Sequence, residues 1–263
     1  MISTCYPVKY TLKLSKSALL GFGMILMLFS ASAQVVPGVE ETGIVYKYAD
    51  NWGATLHSSG IGVNYRKGRH TSGYSYLMSD FSLLTMRHPK EVRTVNPFSD
   101  NNSGFIYGKL NSFMMLHTGI GIQKTINAKG DKGGIEVGHG FYAGVSWGII
   151  KPVYLTIFYK NDQDGIRERI ERYNPDKHYP DNISGRASFF RGFKQARLDP
   201  GLYASYLLNF EFGKSQERLR MIETGVSVDL FAKPVPMMAF NTNTNYFLTF
   251  FVRILYGKLW NRR

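Results

Sequence analysis

Acid–base chemistry in this chain would have to rest on six histidines: His57, His70, His88, His117, His139 and His178. Acyl hydrolysis or transfer needs one of them beside a serine nucleophile. His57 adjoins Ser58, but successive residues on a strand point to opposite faces, so those two do not make a dyad. His139 sits in an alternating segment at an apolar position, an unsuitable place for a base. No two histidines stand at metal-ligand spacing, and the one cysteine, Cys5, lies near the start of the chain. Asp162 and Asp164 lack the alternating oxygen ligands of a calcium loop, and read instead as the cap of a short helix running to Tyr173. These residue types argue against an enzyme and imply no metal or cofactor.

The elements that would position such side chains begin with a leader. Lys9, Lys13 and Lys16 precede an apolar stretch from Ala18 to Phe29, which is shorter than the ~20 residues a membrane helix needs. Ala31-Ser32-Ala33 follows with small residues at the positions a signal peptidase reads. Residues 1–33 are therefore expected to be a cleaved signal peptide, 34–52 a periplasmic segment and 53–263 a transmembrane barrel. The leader removes three lysines and no acid, which lowers the formal charge of +13 by three. For an exported chain that excess points to anionic lipopolysaccharide and outer-membrane lipid rather than nucleic acid.

The barrel is read from period-two alternation over segments of about ten residues, as a wall with one lipid face and one lumen face requires. Residues 134–150 set Ile135, Val137, Phe141, Val145 and Trp147 against Gly134, Glu136, Gly140, Tyr142 and Ser146. Residues 202–213, 220–231 and 245–259 repeat it, and 55–66, 74–86, 105–124 and 152–160 do so more weakly. The expectation is an all-β chain: an antiparallel transmembrane β-barrel of about eight strands with a long extracellular loop. An interior of that size is filled by side chains. Asp80, Glu136, Glu211, Glu223 and Asp229 would face Lys109, Lys160 and Arg253 there as a charge network. Aromatic girdles would be built from Tyr46, Tyr48, Trp52, Tyr65, Tyr74 and Tyr76, with Trp147 and Trp260 at periplasmic ends.

This register makes 151–152 and 215–218 periplasmic turns and places 66–73, 127–133, 161–201 and 233–244 outside. The segment 88–104 breaks the pattern, because it would be periplasmic and yet long. Two groups of residues are candidates for contact with lipid or a partner: Phe189, Phe190, Arg191, Phe193, Lys194 and Arg197 in the long loop, and Lys90 and Arg93 in the periplasmic segment.

At His88-Pro89-Lys90-Glu91-Val92-Arg93, Tyr107-Gly108-Lys109-Leu110-Asn111, Gly130-Asp131-Lys132-Gly133-Gly134 and Lys151-Pro152-Val153-Tyr154-Leu155 the chain resembles a family of outer-membrane β-barrel proteins of Bacteroidota. In architecture it is similar to small barrels of the OmpA and OmpX type, without room after the last strand for a peptidoglycan-binding domain. The resemblance implies an outer-membrane location and carries no activity. The reading is a non-catalytic outer-membrane platform. Its alternatives are an accessory subunit of an envelope assembly, engaged through 88–104, a lipid-modifying enzyme and, more weakly, a narrow solute channel.

Overall fold

The computed structural model describes residues 46–72, 74–97, 103–128, 134–161, 165–212 and 218–261. The leader, most of the expected periplasmic segment, and Asp162 and Asp164 lie outside the described residues. In chain order the strands are β1 (Tyr48–His57), β2 (Gly60–Ser72), β3 (Ser75–Met86), β4 (Arg93–Thr94), β5 (Phe105–Ile106), β6 (Asn111–Asn127) and β7 (Glu136–Pro152). They continue as β8 (Tyr154–Asn161), β9 (Gly165–Arg172), β10 (Ile183–Arg186), β11 (Arg197–Phe212), β12 (Arg218–Phe231) and β13 (Tyr246–Trp260).

Eight of them, β1, β2, β3, β6, β7, β11, β12 and β13, pair in that order as an antiparallel sheet that closes when β13 meets β1. Closure leaves no strand edge unpaired, and alternation decides which way each residue faces. On β13, Leu248, Phe250, Val252 and Ile254 are exposed on the outer wall, while Thr249, Phe251, Arg253 and Leu255 are buried in the lumen. The same division holds on β7, where Phe141 and Trp147 point out and Tyr142 and Ser146 point in. Among the described residues no helix is long and apolar enough to cross a membrane.

Three expected strands differ from this sheet. Residues 55–66 are the end of one strand and the start of the next, turning at Ser58-Ser59. The reason is visible in the parity. Ala54 and Leu56 face outward on even numbers, and Ile61, Val63 and Tyr65 on odd ones, a switch no continuous strand can make. Of residues 152–160, Pro152 ends the barrel strand β7 and 154–160 do not join the barrel. They form β8, the centre of a separate sheet ordered β10-β8-β9. Val153-Tyr154-Leu155-Thr156-Ile157-Phe158 is apolar at both parities, and Leu155, Thr156 and Ile157 are all buried, which suits a strand covered on both faces.

The helix expected up to Tyr173 is the strand β9. Its Ile-Arg-Glu-Arg-Ile-Glu-Arg run pairs with β8, and across the two strands Tyr159 donates to Glu171 at 2.9 Å while Arg169 lies over the Tyr159 ring. The third expected strand, 105–124, is also divided. Phe105–Ile106 pairs with β4, and the barrel strand starts at Asn111. The barrel itself begins at Tyr48 rather than at residue 53, so Tyr48 and Trp52 are inside β1.

The strand count is unchanged, but the connections redistribute. The turns at 58–59, 87–110, 153–196 and 232–245 all lie at one end of the barrel, opposite its terminal end, where β1 starts and β13 finishes. The 88–104 segment, expected on the side opposite the long loop, shares an end with it. Conversely the links between β2 and β3 and between β6 and β7, expected outside, lie at the end where β1 starts and β13 finishes. Tyr74 and Tyr76 go with them, whereas Trp147 belongs to the long-loop end of β7 rather than to the end of Trp260. At the terminal end Tyr48 stacks on Trp260 at 4.8 Å and Trp52 meets Tyr256 at 5.9 Å.

The long connections fold together as a cap. Phe105 packs with Leu155, Ile157, Tyr173 and Ile183 in a core of the cap's own. Asn96 Nδ2, buried, donates to the Ile183 carbonyl at 2.8 Å, which joins the 87–110 and 153–196 connections. Burial, and then the neighbouring Tyr107, push the Tyr173 phenol up to about 12, so it stays protonated and packs as a neutral group. The 232–245 connection is tied to 108–111 by Ala239 N–H to Gly108 O at 2.7 Å and Leu110 N–H to Met237 O at 3.0 Å. It lays Val235, Met237 and Met238 on lumen residues Leu84, Met86, Phe113, Met115, Ile150 and Phe231, an apolar plug that closes the mouth under the cap.

Candidate functional site

The lumen parity of four strands sets Arg66 on β2, Asp80 on β3, Glu223 on β12 and Arg253 on β13 at one level of the interior. Arg66 is 1% exposed, and its Nε donates to Asp80 Oδ1 at 2.7 Å and its Nη1 to Glu223 Oε1 at 2.6 Å. Arg253 Nη1 donates to Glu223 Oε2 at 3.2 Å, and its Nε to Thr55 Oγ1 at 2.9 Å. Asp80 accepts further bonds from Asn64 and from the Tyr203 hydroxyl at 3.0 Å. Two cations meet two carboxylates, so this layer carries no net charge. Each ion has a partner that offsets its loss of water. Arg66 also lies 4.0 Å over the Tyr142 ring, which fills the section beside it.

Glycines on β6 make room for these rings. A Cβ on Gly119 would stand 2.5 Å from the Tyr203 hydroxyl, and one on Gly121 would overlap the Tyr142 ring. Towards the cap, His117 Nε2 and Asp229 Oδ1 are 2.7 Å apart, and the His117 ring stacks on Tyr203 at 4.1 Å. A cavity of about 10 Å³ beside them, lined by His57, Ser205, Ser227 and Thr249, is room for roughly one water. A second cavity, about 20 Å³, lies nearer the terminal end among Tyr76, Gln123, Glu136, Asn209 and Glu211. Among the described residues no group of three or more His, Cys, Asp or Glu side chains is placed to hold a metal.

Of the residues expected in the lumen, Asp80, Glu223, Asp229 and Arg253 are buried there. Glu136 and Glu211 line the lower cavity, where Thr125 donates to Glu136 at 2.7 Å. Lys109 is not among them. It lies in the cap and its ammonium pairs with Glu91 at 2.6 Å. Lys160 falls on β8, outside the barrel. Sequence reasoning missed Arg66, assigned to an outside loop, and His117. The outward parity of Ile61, Val63 and Tyr65 would have turned Arg66 inward. The other histidines are scattered, with His139 on the outer wall near Tyr206, His178 buried in the cap and His88 in a cap turn.

The candidate contact residues share the capped end. Lys90 bonds Asn241 at 2.8 Å and Arg93 sits in β4, both in the cap rather than on the opposite side. Phe189, Phe190 and Phe193 are exposed and meet edge to face, with ring centres 5.6 and 5.8 Å apart. Arg197 is engaged with Asp199 through two bonds at 2.8 and 2.7 Å.

No family model matches this chain, and no curated protein does. Among solved structures it is similar to Neisserial surface protein A, at 10% identity over 82% of this chain and 96% of that one, with a TM-score of 0.40. It is also similar to the outer membrane protein OprG from Pseudomonas aeruginosa, at 8% identity over 83% and 97%, with a TM-score of 0.37. The closed eight-stranded topology rests on this chain's own strand pairing.

Proposed function

We propose that this chain is an integral outer-membrane barrel that acts as a rigid, non-conducting and non-catalytic platform, holding a folded cap outside the cell. One observation carries the reading. The outer wall is an apolar belt, while the lumen is filled by the neutral layer of Arg66, Asp80, Glu223 and Arg253 beneath an apolar plug. An apolar outside around a filled, ion-paired inside suits a barrel in lipid that passes no solute. The resemblance to Bacteroidota outer-membrane barrels and the leader-like residues 1–33 support the same placement. The start of β1, the finish of β13 and the short links at one end, with long connections at the other, match the usual arrangement of such barrels and support a cap on the outside.

With the cap outside, the accessory-subunit reading loses its periplasmic handle, since 88–97 and 103–104 share the cap's end of the barrel; a partner would meet the cap instead. His117 and Asp229 resemble a base with its orienting acid, but they are enclosed in the lumen, away from the rim where a lipid substrate would lie. Purified protein in a planar bilayer is expected to pass no steady current and to shift mobility on heating in a gel. A steady current would overturn the filled-lumen reading, and the absence of a heat shift would overturn the membrane barrel.

A further inference from the structure

The loop between β10 and β11 is folded against the outside of the wall and held there by Lys151. On β7 it follows Trp147 and Ile149 on the outward parity, yet it is only 4% exposed. Its ammonium donates to the Phe189 carbonyl at 2.9 Å and the Arg191 carbonyl at 3.3 Å, and lies 4.7 and 5.3 Å from the Phe189 and Phe193 rings. Other ties make the loop stiff. Ala187 N–H bonds Tyr154 O at 3.1 Å, the Tyr154 hydroxyl donates to Gln195, and Gly192 adopts a φ of 91° where a Cβ would meet the Pro152 carbonyl at 2.8 Å.

What this loop presents is apolar at its tip and cationic at its flanks. Phe190 is 79% exposed and Phe189 57%, a large apolar area to hold rigidly in water. On the wall beside them Trp147, Leu198 and Leu202 are exposed, so the apolar belt of β7 and β11 continues into the three rings. Arg191 and Lys194 are exposed and make no ion pair among the described residues. Aromatic rings at the edge of a hydrocarbon layer with guanidinium and ammonium groups beside them suit the boundary between acyl chains and phosphate headgroups.

We propose that the 187–196 loop is a lipid anchor: Phe189, Phe190 and Phe193 enter the acyl region of the leaflet at the capped end, and Arg191 and Lys194 take the phosphates of its anionic headgroups. Lys151 is a positioning residue that holds the loop against the wall. The inference rests on the membrane reading above, and the experiment separates the two. The full chain with Cys5→Ser carries a single reporter cysteine, Ser188→Cys beside the rings or Leu202→Cys on the belt, labelled with an environment-sensitive fluorophore. It is reconstituted in phosphatidylcholine vesicles with or without phosphatidic acid. Both labels are expected to be quenched by lipid bearing a spin label near its headgroup, and the label at 188 to be poorly quenched by aqueous iodide. Lipid quenching at 202 but iodide quenching at 188 overturns the anchor alone; no lipid quenching at either site overturns the membrane reading as well. Arg191→Gln with Lys194→Gln is expected to lower phosphatidic acid retained on the purified protein several-fold. Unchanged retention would overturn the phosphate contact.

Discussion

Arg66→Ala is expected to destabilise the folded barrel by about 3–5 kcal/mol, because it removes the one cation that bonds both buried carboxylates. Asp80 would keep only neutral donors, and Glu223 would lean on Arg253 at 3.2 Å alone. Arg253→Ala should cost less, since Glu223 keeps the shorter 2.6 Å bond to Arg66. Urea unfolding in lipid vesicles, followed by the heat-shift gel, measures both. A neutral layer also predicts compensation. Arg66→Leu combined with Asp80→Asn should recover much of the loss, because the remaining Glu223–Arg253 pair is neutral and no carboxylate is left without a cation. If Arg66→Ala unfolds at the wild-type midpoint, the ion layer does not hold the lumen together.

Phe105→Ala is expected to melt the cap and spare the barrel. Phe105 is 2% exposed in a core shared with Leu155, Ile157, Tyr173 and Ile183, and a truncation of this kind removes about 3–5 kcal/mol. A three-stranded sheet has little stability to lose, whereas the eight barrel strands share no part of that core. Limited proteolysis should then cut within 153–196 while the remaining protein keeps its heat shift. Loss of the shift would mean that barrel and cap unfold as one unit.

Parity was legible in the sequence and direction was not. The facing of Tyr142, Glu223, Asp229 and Arg253 follows from alternation alone, because a buried lumen and an apolar wall leave no other register. The errors came where two rules competed. Leu56 and Ile61 flank a two-residue turn that weak alternation hid, and counting β8 as a wall strand restored the number eight while reversing the sense of every wall strand between them. That reversal separated 88–104 from the long loop, although Asn96 and Ile183 bring the two together. The Arg66 partnership depends on pairing across strands 157 residues apart, which no local pattern reports. The Phe189–Phe193 cluster could be picked out by composition, but its stiffness comes from Lys151, whose burial only the folded loop creates.

Surface labelling in intact cells tests the arrangement most directly. Val95 and Tyr179 are exposed in two different connections of the cap, and Tyr74 is exposed at the terminal end. With a membrane-impermeant maleimide, Val95→Cys and Tyr179→Cys are expected to react on intact cells, and Tyr74→Cys only after the outer membrane is permeabilised. A silent Val95→Cys beside a reactive Tyr179→Cys would contradict a single cap on one side of a closed barrel.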